Sequence, residues 1–201
     1  MIRRILAFLV RLTTGVRTAP ELGEIHKRRI YLANHSSHLD ALVLWSAIPT
    51  LRRHATRPVA AAEYWQKGRL RRWLATRAFN AILIPRHLAN MRDEDPLEKM
   101  LAAIDNGADL ILFPEGTRSK DGGIGPFKSG IYHLASKRTE LELIPVFLEN
   151  LGRILPKGEL LPLPLIARAT FGHPISGPDP TEPKTDFLAR ARDAVVQLSA
   201  N

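Results

Sequence analysis

A chain of 201 residues has room for one sizeable core and is short for two domains. It is 45% hydrophobic and 24% charged, an ordinary globular balance, with no internal repeat and no tract polar enough to be disordered. It has no cysteine, which excludes disulfides, thiolate metal sites and a cysteine nucleophile and fits a reducing compartment; a net charge of +9 favours an anionic partner, yet neither an RNA-module signature nor zinc-finger spacing is present.

The opening "MIRRILAFLVRLTTG" holds a basic-flanked apolar stretch, Ile5 to Val10. It is short of the roughly 20 residues that a spanning helix needs, and of a secretory signal's apolar core and cleavage site. Coiled as a helix, it places Ile2, Ile5, Leu9 and Leu12 on one face and Arg4 and Arg11 on another. That pattern suits a helix in a membrane interface, the arginines poised for lipid phosphates; the alternative is a helix packed on the chain's own core. The expected division is an interface helix over 1–14 and a single domain over 15–201.

A basic turn, "HKRR", leads into a short strand at about 30–33, the polar turn "LANHSSHLD", and a helix reaching about Ile48. A second strand is expected at 57–61. "EYWQKGRLRRWLATRAF" reads as one basic helix with Trp65, Leu70, Trp73 and Leu74 as its apolar side, and "NAILIP" as a buried strand leading to Arg86. In "DPLEKMLAAIDNG" Asp95 can be the N-cap, Pro96 the first helical residue and Glu98 the third, with Asn106-Gly107 ending the helix. Then come the strand "DLILF", a Gly-rich loop from Glu115 to Gly125, a helix in "SGIYHLASKR", a strand "LELIPVF" interrupted by Pro145, and a strand at about 165–171. A closing helix carries Phe187, Ala191, Ala194, Val195 and Leu198 on one side. Alternating strands and helices predict an α/β fold with a largely parallel sheet. Ligand sites in such sheets lie beyond the carboxyl ends of strands, where the turns 34–40 and 113–119 both fall.

The first turn admits three readings. His35, His38 and Asp40 offer metal ligands within six residues, as in a metal-dependent hydrolase, but His54, His87, His133 and His173 stand isolated downstream. Alternatively Asp40 opens a helix, the loop folds back, and the carboxylate orients His35 for acid–base work, with Asn34 and Ser36 holding the loop through side-chain bonds to backbone. Or Asp40 only caps the helix. The second turn, "LFPEGTRS", adds a glycine that lets backbone approach a ligand (Gly116), a planar fork suited to phosphate (Arg118), and a carboxylate that binds a substrate hydroxyl or anchors the loop (Glu115).

Together these turns resemble the glycerolipid acyltransferases of the 1-acylglycerol-3-phosphate acyltransferase type. "NHSSHLD" matches the family's Asn-His-x4-Asp motif, with His35 and Asp40 in the catalytic places; "FNAILIPR" ends in Arg86; "FPEGTRS" matches the acceptor-binding block, Glu115, Gly116, Thr117 and Arg118; "IPV" is residues 144–146. The glycine often found at the start of the second block is replaced by Ala78 or Phe79. The lysine expected near Ala62 is absent, leaving Lys67 and Lys128 as candidate substitutes. The resemblance implies transfer of a fatty acyl group from acyl-CoA or acyl carrier protein to a lysophospholipid hydroxyl, with His35 as base, Asp40 as its support, Arg86 and Arg118 on the acceptor phosphate and Glu115 orienting the acceptor. It implies no metal, no cofactor beyond the thioester co-substrate, no nucleic-acid partner, and peripheral attachment to the anionic cytoplasmic face of the membrane. The rival class is a non-catalytic basic membrane-binding module.

Overall fold

The computed structural model describes residues 2–19, 26–85, 95–119, 122–151 and 166–200. Its centre is one six-stranded sheet built from β1 (Arg29–Ala33), β2 (Thr56–Ala61), β3 (Ile82–Ile84), β4 (Asp109–Leu112), β5 (Glu142–Glu149) and β6 (Arg168–Phe171), in the order β3-β2-β4-β1-β5-β6. Every pairing is parallel except β5 with β6, which closes the far edge antiparallel. The α/β expectation holds.

All five residues of β1 are buried, because β1 lies mid-sheet with helices on both faces. Side chains alternate across the pleat. Tyr31 and Ala33 face a core shared with α1 (Ile2–Thr14) and α2 (Asp40–Ala47), which the short α3 (Thr50–Arg53) follows; Ile30 and Leu32 face one shared with α6 (Pro96–Asp105), α7 (Gly130–Lys137) and α8 (Lys184–Gln197). The start of α6 is built as its sequence announces: the Asp95 carboxylate accepts the Leu97 amide at 2.9 Å, with Pro96 in the first turn.

Three local expectations are corrected. The basic helix is broken. Gly68, at φ +88°, separates α4 (Ala62–Trp65) from α5 (Arg69–Trp73), and a π-helical turn follows over Leu74–Ala78. The expected apolar side is split accordingly: Trp65 and Leu74 pack on the core, while Leu70 is 70% and Trp73 42% exposed. Second, Pro145 does not interrupt its strand. β5 runs through it, Pro145 standing opposite Leu32 of β1 and its carbonyl accepting Gly172 N at 2.9 Å. Gly172 permits this, since a Cβ there would lie 2.9 Å from the proline ring. Third, the N-terminal helix packs on the chain's own core with one side and leaves its other apolar side chains uncovered by the described residues. Ala7, Val10 and Thr14 are buried, whereas Ile2, Ile5, Phe8, Leu9 and Leu12 are exposed.

At the end of the sheet where β1 and β4 begin, charge is structural. Arg29 pairs with Glu142 at 2.9 Å and Arg52 with Asp109 at 3.3 Å, all four buried, and burial pushes the Asp109 carboxyl up. Arg86 lies outside the described residues, as do His87 and the start of the expected strand at 165–171.

Candidate active site

β1 and β4 are parallel neighbours, and Leu32 stands opposite Leu112. Their exits therefore emerge side by side, bringing the turns 34–40 and 113–119 together across some 80 residues of sequence. Two hydrogen bonds tie them: Ser119 N donates to the His35 carbonyl at 2.7 Å, and His35 N donates to the Glu115 side chain at Oε1, 2.8 Å away. On its other side the first turn is fastened to β5 by Asn34, whose side chain donates to Leu148 O at 3.0 Å and accepts Leu148 N at 2.7 Å. A side chain here continues the β1–β5 ladder past the strand's end.

Within the turn, one oxygen organises everything. Asp40, fully buried in the first turn of α2, accepts Ser36 N at 2.6 Å, Ser37 N at 2.8 Å and His35 Nδ1 at 2.8 Å, all on Oδ2. Ser36 thus holds the loop through its amide; the hydroxyl that braces the turn is Ser37 Oγ, accepting Leu39 N at 3.3 Å. A carboxylate acceptor at Nδ1 makes that nitrogen the donor and leaves Nε2 with a lone pair. The imidazole is further held by the Phe113 ring, stacked at 4.4 Å and 24°. His38 does not join His35 and Asp40. It stacks flat on Tyr64 at 4.3 Å and 10°. Its pKa is pushed down to about 4, first by burial and then by the charges of Arg118, His35 and Arg71. Among the described residues no three His, Asp or Glu side chains gather as metal ligands.

The second turn is built around Glu115, which is buried. Besides His35 N, it accepts Gly125 N on Oε2 at 2.9 Å. Of its two expected roles the geometry shows loop anchoring, with each oxygen committed to a backbone amide and not turned toward an acceptor. Glu115→Ala is expected to cost about 2–4 kcal/mol, since two amides in a crowded loop lose their acceptor, and Glu115→Gln less, since one oxygen remains. Urea unfolding measures both, and equal midpoints for alanine variant and wild type would refute the clamp.

Gly116, at φ +68°, lies under the Lys128 side chain; a Cβ there would stand 2.8 Å from Nζ. The glycine thus admits both the turn and the cation that crosses it. A cleft of about 400 Å³ opens at these turns. Its lining includes His35, His38, Gly116, Arg118 and Lys128 together with the apolar side chains of Val59, Ile84, Met100, Leu112, Ile131 and Leu134. Thr117 is exposed and Lys67 is exposed, and neither lines the cleft. Tyr64 and Phe113 do line it, and sequence reasoning passed over both. Phe113 carried a signal, being the first residue of "FPEGTRS"; Tyr64 carried only its place in "AAAEYW".

The family model described as Acyltransferase matches residues 13–149. The chain is similar to a 1-acyl-sn-glycerol-3-phosphate acyltransferase of Limnanthes douglasii, 34% identical over 174 residues that cover 85% of this chain and 59% of that one. It is similar to the chloroplastic 1-acyl-sn-glycerol-3-phosphate acyltransferase BAT2 of Brassica napus, 44% identical over 64 residues, 32% of this chain and 18% of that one. The chain thus spans less than two thirds of these relatives. In fold it resembles the crystal structure of the 1-acyl-sn-glycerophosphate acyltransferase PlsC from Thermotoga maritima, with a TM-score of 0.71 and 20% identity over 99% of this chain and 82% of that chain.

Proposed function

The chain belongs to the acyltransferase family, and from that premise we propose that it moves a fatty acyl group from an acyl thioester, acyl-CoA or acyl carrier protein, to the free hydroxyl of 1-acylglycerol-3-phosphate, giving phosphatidic acid. The observation that supports this reading most is the bond between His35 Nδ1 and Asp40 Oδ2 at 2.8 Å, made at a cleft lined by both cationic and apolar side chains.

In this reading His35 Nε2 takes the proton of the acceptor hydroxyl as its oxygen attacks the thioester carbonyl carbon. The new C–O bond forms, the C–S bond breaks as the tetrahedral intermediate collapses, and the proton passes from His35 to the departing thiolate, which leaves as free thiol. Asp40 balances the imidazolium between those steps. No acyl-enzyme is required, because the thioester is already activated. The amides of Ser36, Ser37 and Gly116 do not serve as an oxyanion hole as they stand: the first two donate to Asp40, and Gly116 N donates to Phe113 O at 2.9 Å.

Arg118 and Lys128 take the acceptor phosphate, with Arg86 as a further candidate outside the described residues. The apolar lining accommodates acyl chain. Mixing the chain with acyl-CoA should release thiol only when 1-acylglycerol-3-phosphate is present. Arg118→Ala should raise the acceptor KM about tenfold or more, the loss of one charged hydrogen bond to phosphate. Thiol release independent of any acceptor, or an unchanged acceptor KM in that variant, would count against the reading.

Membrane attachment is part of the same proposal. The exposed apolar face of α1, with Arg3, Arg4 and Arg11 on the same helix, suits an amphipathic helix lying in an anionic leaflet, and supports peripheral attachment, with the cytoplasmic face as the proposed side. Among the described residues no helix is long and apolar enough to cross a membrane. Deleting residues 1–14 should lower the fraction that sediments with anionic vesicles; equal sedimentation with and without the helix would reject α1 as the anchor.

A further inference from the structure

Five aromatic rings form a continuous chain from the core to the cleft. Trp45, buried in α2, meets Phe79 edge-on at 5.1 Å; Phe79 meets Trp65 at 6.4 Å; Trp65 meets Tyr64 at 5.5 Å; Tyr64 stacks on His38 at 4.3 Å. Tyr64 is therefore no free surface ring. Its position is set by packing that reaches the centre of the molecule. Over this ring lies the guanidinium of Arg71, 4.6 Å from the centroid. Arg71 comes from α5, the segment redirected by Gly68; in the single straight helix that the sequence suggests, the three residues before α5 would not have turned.

Three cations gather around this end of the site, while the nearby carboxylates of Asp40 and Glu115 are bonded to His35 and to backbone amides. Among the described residues none of the ion pairs involves Arg71, Arg118 or Lys128. His38 is held neutral first by burial and then by its charged neighbours, Arg118 and Arg71 among them. Its ring hence adds a hydrogen-bonding nitrogen to the cleft wall and no further charge. Arg118 and Lys128 line the cleft and Arg71 lies over Tyr64, a ring that also lines it, an arrangement of cations suited to an anion that arrives with the ligand.

We propose that Tyr64 is a platform presenting Arg71 and His38 as a third wall of the acceptor site, and that this wall selects a phosphomonoester headgroup over a phosphodiester. The inference rests on the reading of the cleft as a lysophosphatidate site and deepens it. A monoester carries about −1.5 to −2 charge near neutral pH and three open oxygens. It can meet Arg118, Lys128 and Arg71 together. A diester carries a single charge, and its second substituent occupies the position from which one of these cations would approach.

The test uses the full chain with acyl-CoA and two acceptors, 1-acylglycerol-3-phosphate and 1-acylglycerophosphoglycerol, following thiol release. Arg71→Gln is expected to raise the monoester KM about tenfold with a much smaller change in kcat and in the KM for acyl-CoA, and to move the diester KM less than about threefold. Tyr64→Leu, which removes the platform, should reproduce that pattern; Tyr64→Phe, which keeps the ring, should recover most of the affinity lost in Tyr64→Leu. An active wild type with an Arg71→Gln monoester KM at the wild-type value, or with equal rises for both acceptors, overturns the proposal alone. So does a fall in kcat at unchanged KM, which marks a merely structural role. A wild type that releases no thiol with either acceptor overturns the parent reading, and this one with it.

Discussion

Replacing His35 with alanine is expected to cut turnover about 10²- to 10⁴-fold, the worth of a positioned general base, while the chain keeps its fold. The two halves of that expectation come from different observations. Among the described residues the imidazole is the only side chain bonded to Asp40, and it lines the cleft with Nε2 as its proton-accepting nitrogen. Its removal leaves the loop's own fastenings in place, because Ser36 N and Ser37 N still reach Asp40, and His35 N and O, which are backbone atoms, still reach Glu115 and Ser119. What is lost structurally is one side-chain hydrogen bond and the stack on Phe113, about 1–2 kcal/mol in all. Acceptor and donor KM values should move little, since neither the cationic nor the apolar side chains of the lining are touched. Steady-state thiol release and a urea curve measured on the same preparation decide the matter. Turnover within threefold of wild type, in a variant with a cooperative unfolding transition, would remove His35 from the reaction.

The site was legible in sequence where it is local and obscure where it is assembled. His35 and Asp40 lie five residues apart, and a turn followed by a helix start was enough to place them in contact. The partnership of that turn with Glu115 follows from strand order, because β1 and β4 are adjacent although β2 and β3 intervene in sequence. Two well-matched motifs at strand ends suggested the meeting but not its chemistry. Glu115 was open to two readings, a hydroxyl-binding acid or a loop anchor, and its carboxylate clamps two backbone amides, as a carboxylate in a buried loop serves the amides nearest to it. The basic segment after β2 misled for a different reason. Its apolar periodicity persists across Gly68, and a single residue at positive φ redirects the chain without disturbing the pattern on either side. The same blindness hid Arg71, which nothing in the sequence distinguishes from Arg69 or Arg72. Pro145 was read by propensity as a break, but a proline costs a parallel ladder only the one amide it lacks, and burial on both faces of β5 outweighs that loss.

Asp40→Asn separates support of the imidazole from mere capping of α2, and is expected to lower turnover about 10³-fold with little change in stability. Ser36 N and Ser37 N both donate to Oδ2, so the asparagine must place its carbonyl oxygen there, and that oxygen still accepts from His35 Nδ1. The amide nitrogen then takes the position of Oδ1, which is buried and has no hydrogen-bond partner among the described residues. Three charge-assisted bonds become neutral ones, which weakens them, but a buried carboxylate no longer has to be desolvated; the two effects oppose each other and leave the unfolding midpoint near that of wild type. Catalysis has no such offset. The imidazolium that forms as His35 takes the proton loses its adjacent negative charge, and two unit charges about 4 Å apart at an effective dielectric near 20 interact by about 4 kcal/mol, roughly three powers of ten in rate. Because both residues act through one proton transfer, adding Asp40→Asn to His35→Ala should cost almost nothing more. If the single asparagine variant turns over within threefold of wild type, or if the two losses multiply in the double variant, Asp40 serves the helix and not the imidazole.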